Sequence, residues 1–431
     1  MQGPPNRIGI IAGGGSLPGE VAQSVVARGG AVHVVLVGDA ADVGLEAYPH
    51  TRVNWAQLGR AIAAFEHANI GDVVFLGKFA RPSFRNARPD LAFVLSLPAI
   101  VQLLKAGGDD AVLRGLLALF EQRGFHVVGA GEAAPELLVG TGALTRASPM
   151  PHDEADIARG FQIIAALGPY DIGQAVIVAN GAIEAIEGAE GTDQMLARVS
   201  KQRRVAGSTE RIGAIIKRPK PGQDLRVDLP AIGPDTVKNA SAAGLAGIAV
   251  MADHVLAAGR RGMINAADAA GLFIAGVGDD EANSAQNVAL NCEDVPRYLG
   301  RHDCNAPTLL DIQRGRAILR ALSGFAAGSA VVVCGKRVIA IGATEPALSV
   351  VERCKVFAKS RGQRRGVAVI APRESIDETL IVAAAAAKLS GLVILSDDVN
   401  QFDLDSVVAA AADRLGLFVA AAWFVKRGAG R

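Results

Sequence analysis

Aromatic residues make up only 4% of this 431-residue chain, and its 44 basic residues are nearly balanced by 43 acidic ones, for a net charge of +1. There is no basic excess to hold phosphate backbones and little ring surface to stack bases, so nothing argues for nucleic-acid binding. Four cysteines, Cys292, Cys304, Cys334 and Cys354, occur without CxxC spacing in the last third of the chain. Reduced, mostly buried thiols are expected rather than a zinc site. Apolar runs of the roughly 20 residues needed to cross a bilayer are missing. Leu380 to Leu395 is broken by Lys388, and Leu415 to Val425 is too brief. The opening MQGPPNRIGIIAGGG lacks the features of a signal peptide, and a cytoplasmic protein is expected. No GxSxG, no HExxH and no convincing nucleophile occur, which favours attack by a metal-activated water over a covalent intermediate.

What is present is 50% hydrophobic residues, 50 glycines and a mean hydropathy of +0.29. That composition suits α/β domains with buried parallel strands, and the length allows two or three of them. Arg7 to Ala12 reads as a strand, Gly13-Gly14-Gly15-Ser16-Leu17-Pro18 as a glycine loop, and Gly19 to Arg28 as a helix. A Rossmann-like α/β domain is expected over residues 1–148, a second α/β domain over 149–280, a polar connector over 281–306, and a further segment over 307–431. Beyond about residue 257 the second domain's regular order is expected to fade.

The last segment repeats the second domain. Asp156 pairs with Asp311, Gly173 with Gly328 and Arg198 with Arg353, always 155 positions apart, a sign of internal duplication. The repeat is degenerate. Glu187, Glu190 and Asp193 become Gly342, Glu345 and Leu348, while KRPKPGQDLRVD, compared without gaps, faces IAPRESIDETLI. Asp224 then faces Asp377, and Asp228 faces Ile381.

Lys217 to Pro234 is the most telling stretch, with Lys217, Arg218, Lys220 and Arg226 beside Asp224 and Asp228. Cations that neutralise phosphate oxygens beside carboxylates that hold a divalent ion are the equipment for cutting a phosphate ester or anhydride. The glycine loop offers backbone N–H groups to a phosphate, or is a tight turn. Lys78 and Arg81 follow a strand end, where ligands or solvent both account for them. Asp109 and Asp110 open a helix, where capping competes with a ligand role. Glu187, Glu190, Thr192 and Asp193 gather carboxylates and a hydroxyl at a strand end and helix start.

The blocks IAGGGSLP, LGKFARP, GDDAVLRG, DIGQAVIV, IEGAEGTDQML and KPGQDLRVDLPAIGPDTV resemble the two-domain, Mg²⁺-dependent UDP-2,3-diacylglucosamine pyrophosphatases of lipid A biosynthesis. The resemblance covers about residues 5–280. It implies hydrolysis of UDP-2,3-diacylglucosamine to 2,3-diacylglucosamine 1-phosphate and UMP at the inner face of the inner membrane, with substrate held between two domains. Asp224, Asp228, Lys217 and Lys220 are then the catalytic candidates, with Asp224, Asp228, Glu190 and Asp193 as Mg²⁺ ligands. Gly13, Gly14, Gly15, Ser16, Leu17, Lys78, Arg81, Asp110, Gln174, Thr192 and Gln223 are the candidate substrate contacts. The tail departs from the family pattern. It is expected to pack where a second subunit's copy would sit, giving a pseudo-symmetric monomer, with a homodimer as the other possibility. A non-catalytic UDP-sugar or lipid binder is one alternative function, and a nicotinamide-dependent oxidoreductase is a weaker one.

Overall fold

A computed structural model of the chain describes residues 7–38, 43–77, 79, 89–94, 109–207, 210–220, 223–226, 229–278, 296–358, 365–372, 374, 376–399 and 404–424. It is α/β throughout, and divides into two compact units that are not consecutive stretches. The first comprises Met1–Thr141, Gln223–Asp235 and Ala252–Ala266, and the second holds the rest.

In the first unit, β1 (Arg7–Ala12), α1 (Leu17–Ala27), β2 (Ala31–Val37), β3 (His50–Val53), α2 (Leu58–His67), β4 (Asp72–Leu76), α3 (Asp109–Glu121) and β5 (His126–Val127) alternate as the composition predicts. The five strands are all parallel, in the order β3-β2-β1-β4-β5. Period two decides the faces. Ile8, Ile10 and Ala12 pack with Val21 and Val25 of α1, whereas Ile11 joins Phe65 of α2 and Phe120 of α3 on the other side. Both faces are covered, so the strands read as unbroken apolar runs. Gly9 is required by contact, since a Cβ there would lie 2.7 Å from the Phe65 ring.

The second unit contains two copies of one architecture. The first runs β6 (Gly142–Ala143), α4 (Pro151–Leu167), β7 (Ala175–Ala179), β8 (Ala182–Ile186), α5 (Thr192–Val205), β9 (Ala214–Lys217), β10 (Ala231–Ile232), α6 (Pro234–Ala242), β11 (Gly247–Met251), β12 (Leu256–Ala257), α7 (Arg260–Ala270) and β13 (Phe273–Val277). Of these, β10 and β12 pair with each other in the first unit, which also takes the start of α7. The second copy runs β14 (Arg297–Tyr298), α8 (Ala306–Ser323), β15 (Ala330–Cys334), β16 (Arg337–Ile341), α9 (Ala347–Arg353), β17 (Val367–Ile370), α10 (Glu378–Ala386), β18 (Gly391–Ser396), α11 (Ser406–Arg414) and β19 (Phe418–Trp423). The sheets have the same order, β6-β13-β11-β9-β7-β8 and β14-β19-β18-β17-β15-β16. Even the hairpin irregularity recurs, between Ile177 and Val178 and between Val332 and Val333.

The residues that mark the repeat are structural. Asp156 accepts hydrogen bonds from the Asn180 and Gly181 amides, closing the β7–β8 turn, and Asp311 does the same for Gly335 and Lys336. A Cβ on Gly160 would lie 2.6 Å from Ile216, and one on Gly315 2.5 Å from Val369, so each helix approaches its sheet only through a glycine. The copies share one core in which Ile157, Phe161 and Ile164 meet Ile312 and Leu319. Arg159 donates to the Phe325 carbonyl at 2.7 Å, and Arg314 donates reciprocally to that of Tyr170.

Two expectations are corrected. Regular structure continues past residue 257 through α7 and β13, where Met263, Ala267, Phe273 and Ile274 are buried. The ungapped comparison of Asp224 with Asp377 also fails. Helices α6 and α10 begin at Pro234 and Glu378, and β11 and β18 at Gly247 and Gly391, both pairs 144 apart. Strands β9 and β17 are 153 apart, so the second copy is nine residues shorter between strand and helix. Asp377 is the N-cap of α10, accepting from the Leu380 amide. The stretch around Asp224 is thus absent from the second copy, not substituted in it.

Candidate functional site

At the first unit's glycine loop, β1 and β4 end side by side. The Gly13 amide donates to the Leu76 carbonyl at 2.8 Å, and a Cβ on Gly77 would lie 2.6 Å from the Gly14 oxygen. Gly15 has φ +105, and Ser16 precedes the 11-residue α1 without a side-chain capping bond. Successive strands run outward from β1 to β2 and β3, then from β4 to β5, so the loop lies where strand order reverses. In open α/β sheets, ligands bind outside the carboxyl ends of the strands at such a switch point. Gly15 and Ser16 are exposed and Gly14 and Leu17 half-buried, leaving backbone groups at a helix N-terminus open to an anion. Lys78 and Arg81 lie outside the described residues; Asp110 is in the first turn of α3.

In the second unit, β9 lies next to β7, so its last residue, Lys217, comes level with the β8–α5 loop. Lys217 is 8% exposed, and its Nζ donates to Thr192 Oγ1 at 3.4 Å. The Thr192 hydroxyl donates to Glu187 Oε1 at 2.9 Å, and Glu187 Oε2 accepts the Gln174 amide at 3.1 Å. The Arg218 amide donates to the Gln174 carbonyl at 3.0 Å. Three segments, at Gln174, Glu187–Thr192 and Lys217–Arg218, are thereby tied together in a line that ends on a buried cation. Glu187 orients the hydroxyl, and the hydroxyl orients the ammonium. Lys220 stands apart from this line, paired with Asp171 at 2.9 Å.

Asp224 and Gln223 belong to the first unit. Asp224 accepts from Nε and Nη2 of Arg226 at 2.9 and 2.7 Å, and from the Arg226 amide at 3.1 Å. Nη1 of Arg226 reaches Glu121 of α3 at 2.7 Å. Hydrogen bonds to Asp224 and then to Glu121 raise the arginine's pKa. The turn packs on Gly129, where a Cβ would meet the Arg226 Cα at 3.4 Å. Gln223 is half-buried beside this fork, and Asp228 lies outside the described residues.

Comparison with known proteins decides the family. Residues 7–137 match the LpxI N-terminal domain, and residues 140–275 and 297–420 match the LpxI C-terminal domain. The chain belongs to the LpxI family. It is 39% identical over 277 residues to the UDP-2,3-diacylglucosamine pyrophosphatase LpxI of Caulobacter vibrioides, an alignment covering 64% of this chain and 99% of that relative.

The two segments matching the LpxI C-terminal domain coincide with the two structural copies, but only the first carries the Glu187–Thr192–Lys217 line. Its other acids are engaged. Glu190, its side chain 9% exposed, pairs with Arg198 at 3.2 Å, and Asp193 accepts from Asn239 at 3.0 Å. Among the described residues no group of three or more His, Cys, Asp or Glu is arranged to hold a metal. Of the expected Mg²⁺ ligands, Asp224 accepts from Arg226 while Asp228 lies outside the described residues. No helix among them is long and apolar enough to cross a membrane. The sequence assigns no role to Arg198 or Glu121, and it offers Glu187 only as one of a group of carboxylates for a metal or substrate, whereas in the structure Glu187 holds the Thr192 hydroxyl.

Proposed function

We propose that this LpxI-family chain is a hydrolase of lipid A biosynthesis. It cleaves UDP-2,3-diacylglucosamine to 2,3-diacylglucosamine 1-phosphate and UMP at the cytoplasmic face of the inner membrane. The observation that carries this reading is the alignment with a relative of that named activity over 99% of its length. The buried Lys217, steered by Thr192 and Glu187, adds a physical reason, since a fixed cation at a water-poor position stabilises charge developing on a phosphoryl oxygen. Water attacks one phosphorus and the bond from that phosphorus to the bridging oxygen breaks. The other phosphate leaves with that oxygen, and a proton is released. The glycine loop at the switch point supports binding of the nucleotide phosphates. Dependence on Mg²⁺ is proposed from the Asp224 and Asp228 pattern alone.

Purified protein incubated with UDP-2,3-diacylglucosamine should release UMP with Mg²⁺ and stop when the ion is chelated. Absence of UMP under both conditions would leave the binding-only alternative. Release unaffected by chelation would remove the metal and keep the hydrolase.

A further inference from the structure

The loop carrying Glu187, Glu190 and Thr192 is held partly from outside its own copy. The Ala189 amide donates to the Ile339 carbonyl at 3.3 Å, and a Cβ on Gly188 would lie 3.3 Å from that same oxygen. Arg198 of α5 divides its guanidinium between Glu190 at 3.2 Å and Glu345 at 3.1 Å. Glu345 also accepts from Arg353 at 2.5 Å, with its side chain only 4% exposed. Glu190 and Glu345, like Arg198 and Arg353, are 155 positions apart, so a single ion pair, duplicated, has been brought face to face. Burial lowers the pKa of Arg198, and the Glu345 charge opposes that shift.

The degenerate copy shows which of these groups it still uses. Of the positions matching Glu187, Glu190 and Asp193, only the second remains acidic, as Glu345, and Glu345 is the one that reaches the first copy. Its neighbours became Gly342 and Leu348.

We propose that the C-terminal copy is a built-in positioning subunit. Glu345, acting through Arg198, and the Ile339 carbonyl set the 187–193 loop and so aim Thr192 and Lys217. The positioning residue is Glu345; it touches no reacting atom. The functional consequence rests on reading the Lys217 cluster as the hydrolytic site.

The test is Glu345→Gln in the full chain against Val408→Ala, which thins the second copy's other core without touching the loop. Amide exchange at Gly191 and Met195, both bonded within the loop's turn, should quicken in Glu345→Gln and stay unchanged in Val408→Ala at similar melting temperature. Turnover of UDP-2,3-diacylglucosamine should fall about tenfold in kcat with KM little changed in the first variant only. Should Glu345→Gln fail to fold, Glu345→Asp keeps the charge, shortens the reach and carries the same expectations. Equal exchange and equal kcat in the two variants would overturn the positioning role. A wild type that releases no UMP would overturn the site reading, and amide exchange alone would then decide the positioning.

Discussion

Arg159 and Arg314 occupy the same place in the two copies, and each donates to a backbone carbonyl of the other, Phe325 and Tyr170 respectively. A reciprocal contact between residues 155 apart is the signature of a two-fold axis. Here both halves belong to one chain. The two copies pack on each other through α4 and α8 around the shared core of Phe161 and Ile312.

Lys217→Ala should lower kcat by about 10² to 10³, the usual cost of removing one donor aimed at developing charge. Thr192→Val should lower it less, because it removes the group that aims the ammonium and leaves the charge in place. Steady-state kinetics on UDP-2,3-diacylglucosamine, with melting temperatures alongside, checks both. A Lys217→Ala enzyme with full kcat would show that the cation is structural.

Asp224→Ala and Asp228→Ala should each cost at least about 10² in turnover if the segment serves the reaction. Asp224→Ala also leaves Arg226 tied to Glu121 alone. Arg226→Lys, which cannot make the two-pronged contact, separates the effects. If it lowers activity as far as Asp224→Ala does, the fork matters more than the carboxylate. Wild-type rates in both aspartate variants would remove this segment from the chemistry.

Gly160→Ala and Gly315→Ala should each destabilise by about 1–3 kcal/mol, because the added methyl meets Ile216 or Val369 in a packed core. Asp156→Ala and Asp311→Ala should each cost about 1.5–3 kcal/mol through the turn amides they leave unpaired. Denaturant midpoints measure all four. Matched costs across the two copies are expected, although only one copy carries the Lys217 cluster.

The histidine at position 33 should make stability depend on pH. Burial, and then repulsion from His50, lowers its pKa below 6.5 in the folded chain. The unfolded chain therefore binds the proton more readily. The His33 contribution is intact above about pH 6.5 and is lost as pH falls through that value and on through the lower folded pKa. Melting temperature should drop between pH 7.5 and 5.5, and His33→Gln should flatten the drop. An unchanged slope would assign the dependence to other groups.

Much of this architecture could be read from one chain, because strand, glycine loop and helix announce themselves through local periodicity. The duplication was equally legible. Asp156 and Asp311 recur because each closes a hairpin turn with two amides, a local task that keeps its spacing. The comparison failed at Asp224, where the second copy is shorter and the matching aspartate, Asp377, had become a helix cap. Similar letters concealed different connections.

By itself the sequence determined the α/β class, the repeat, the family resemblance and the unusual charge mixture of Lys217 to Pro234, since all of these reside in composition, period and short motifs. Only the tertiary structure decided that this stretch passes from one unit to the other, and that Lys217, not the neighbouring Lys220, meets the Thr192 hydroxyl that Glu187 holds. Glu345's hold on Arg198 likewise emerged only in three dimensions. The reason is physical. Strand order within a sheet brings together residues about 25 to 30 positions apart, and the packing of two copies brings together residues 147 apart, neither of which any local pattern records.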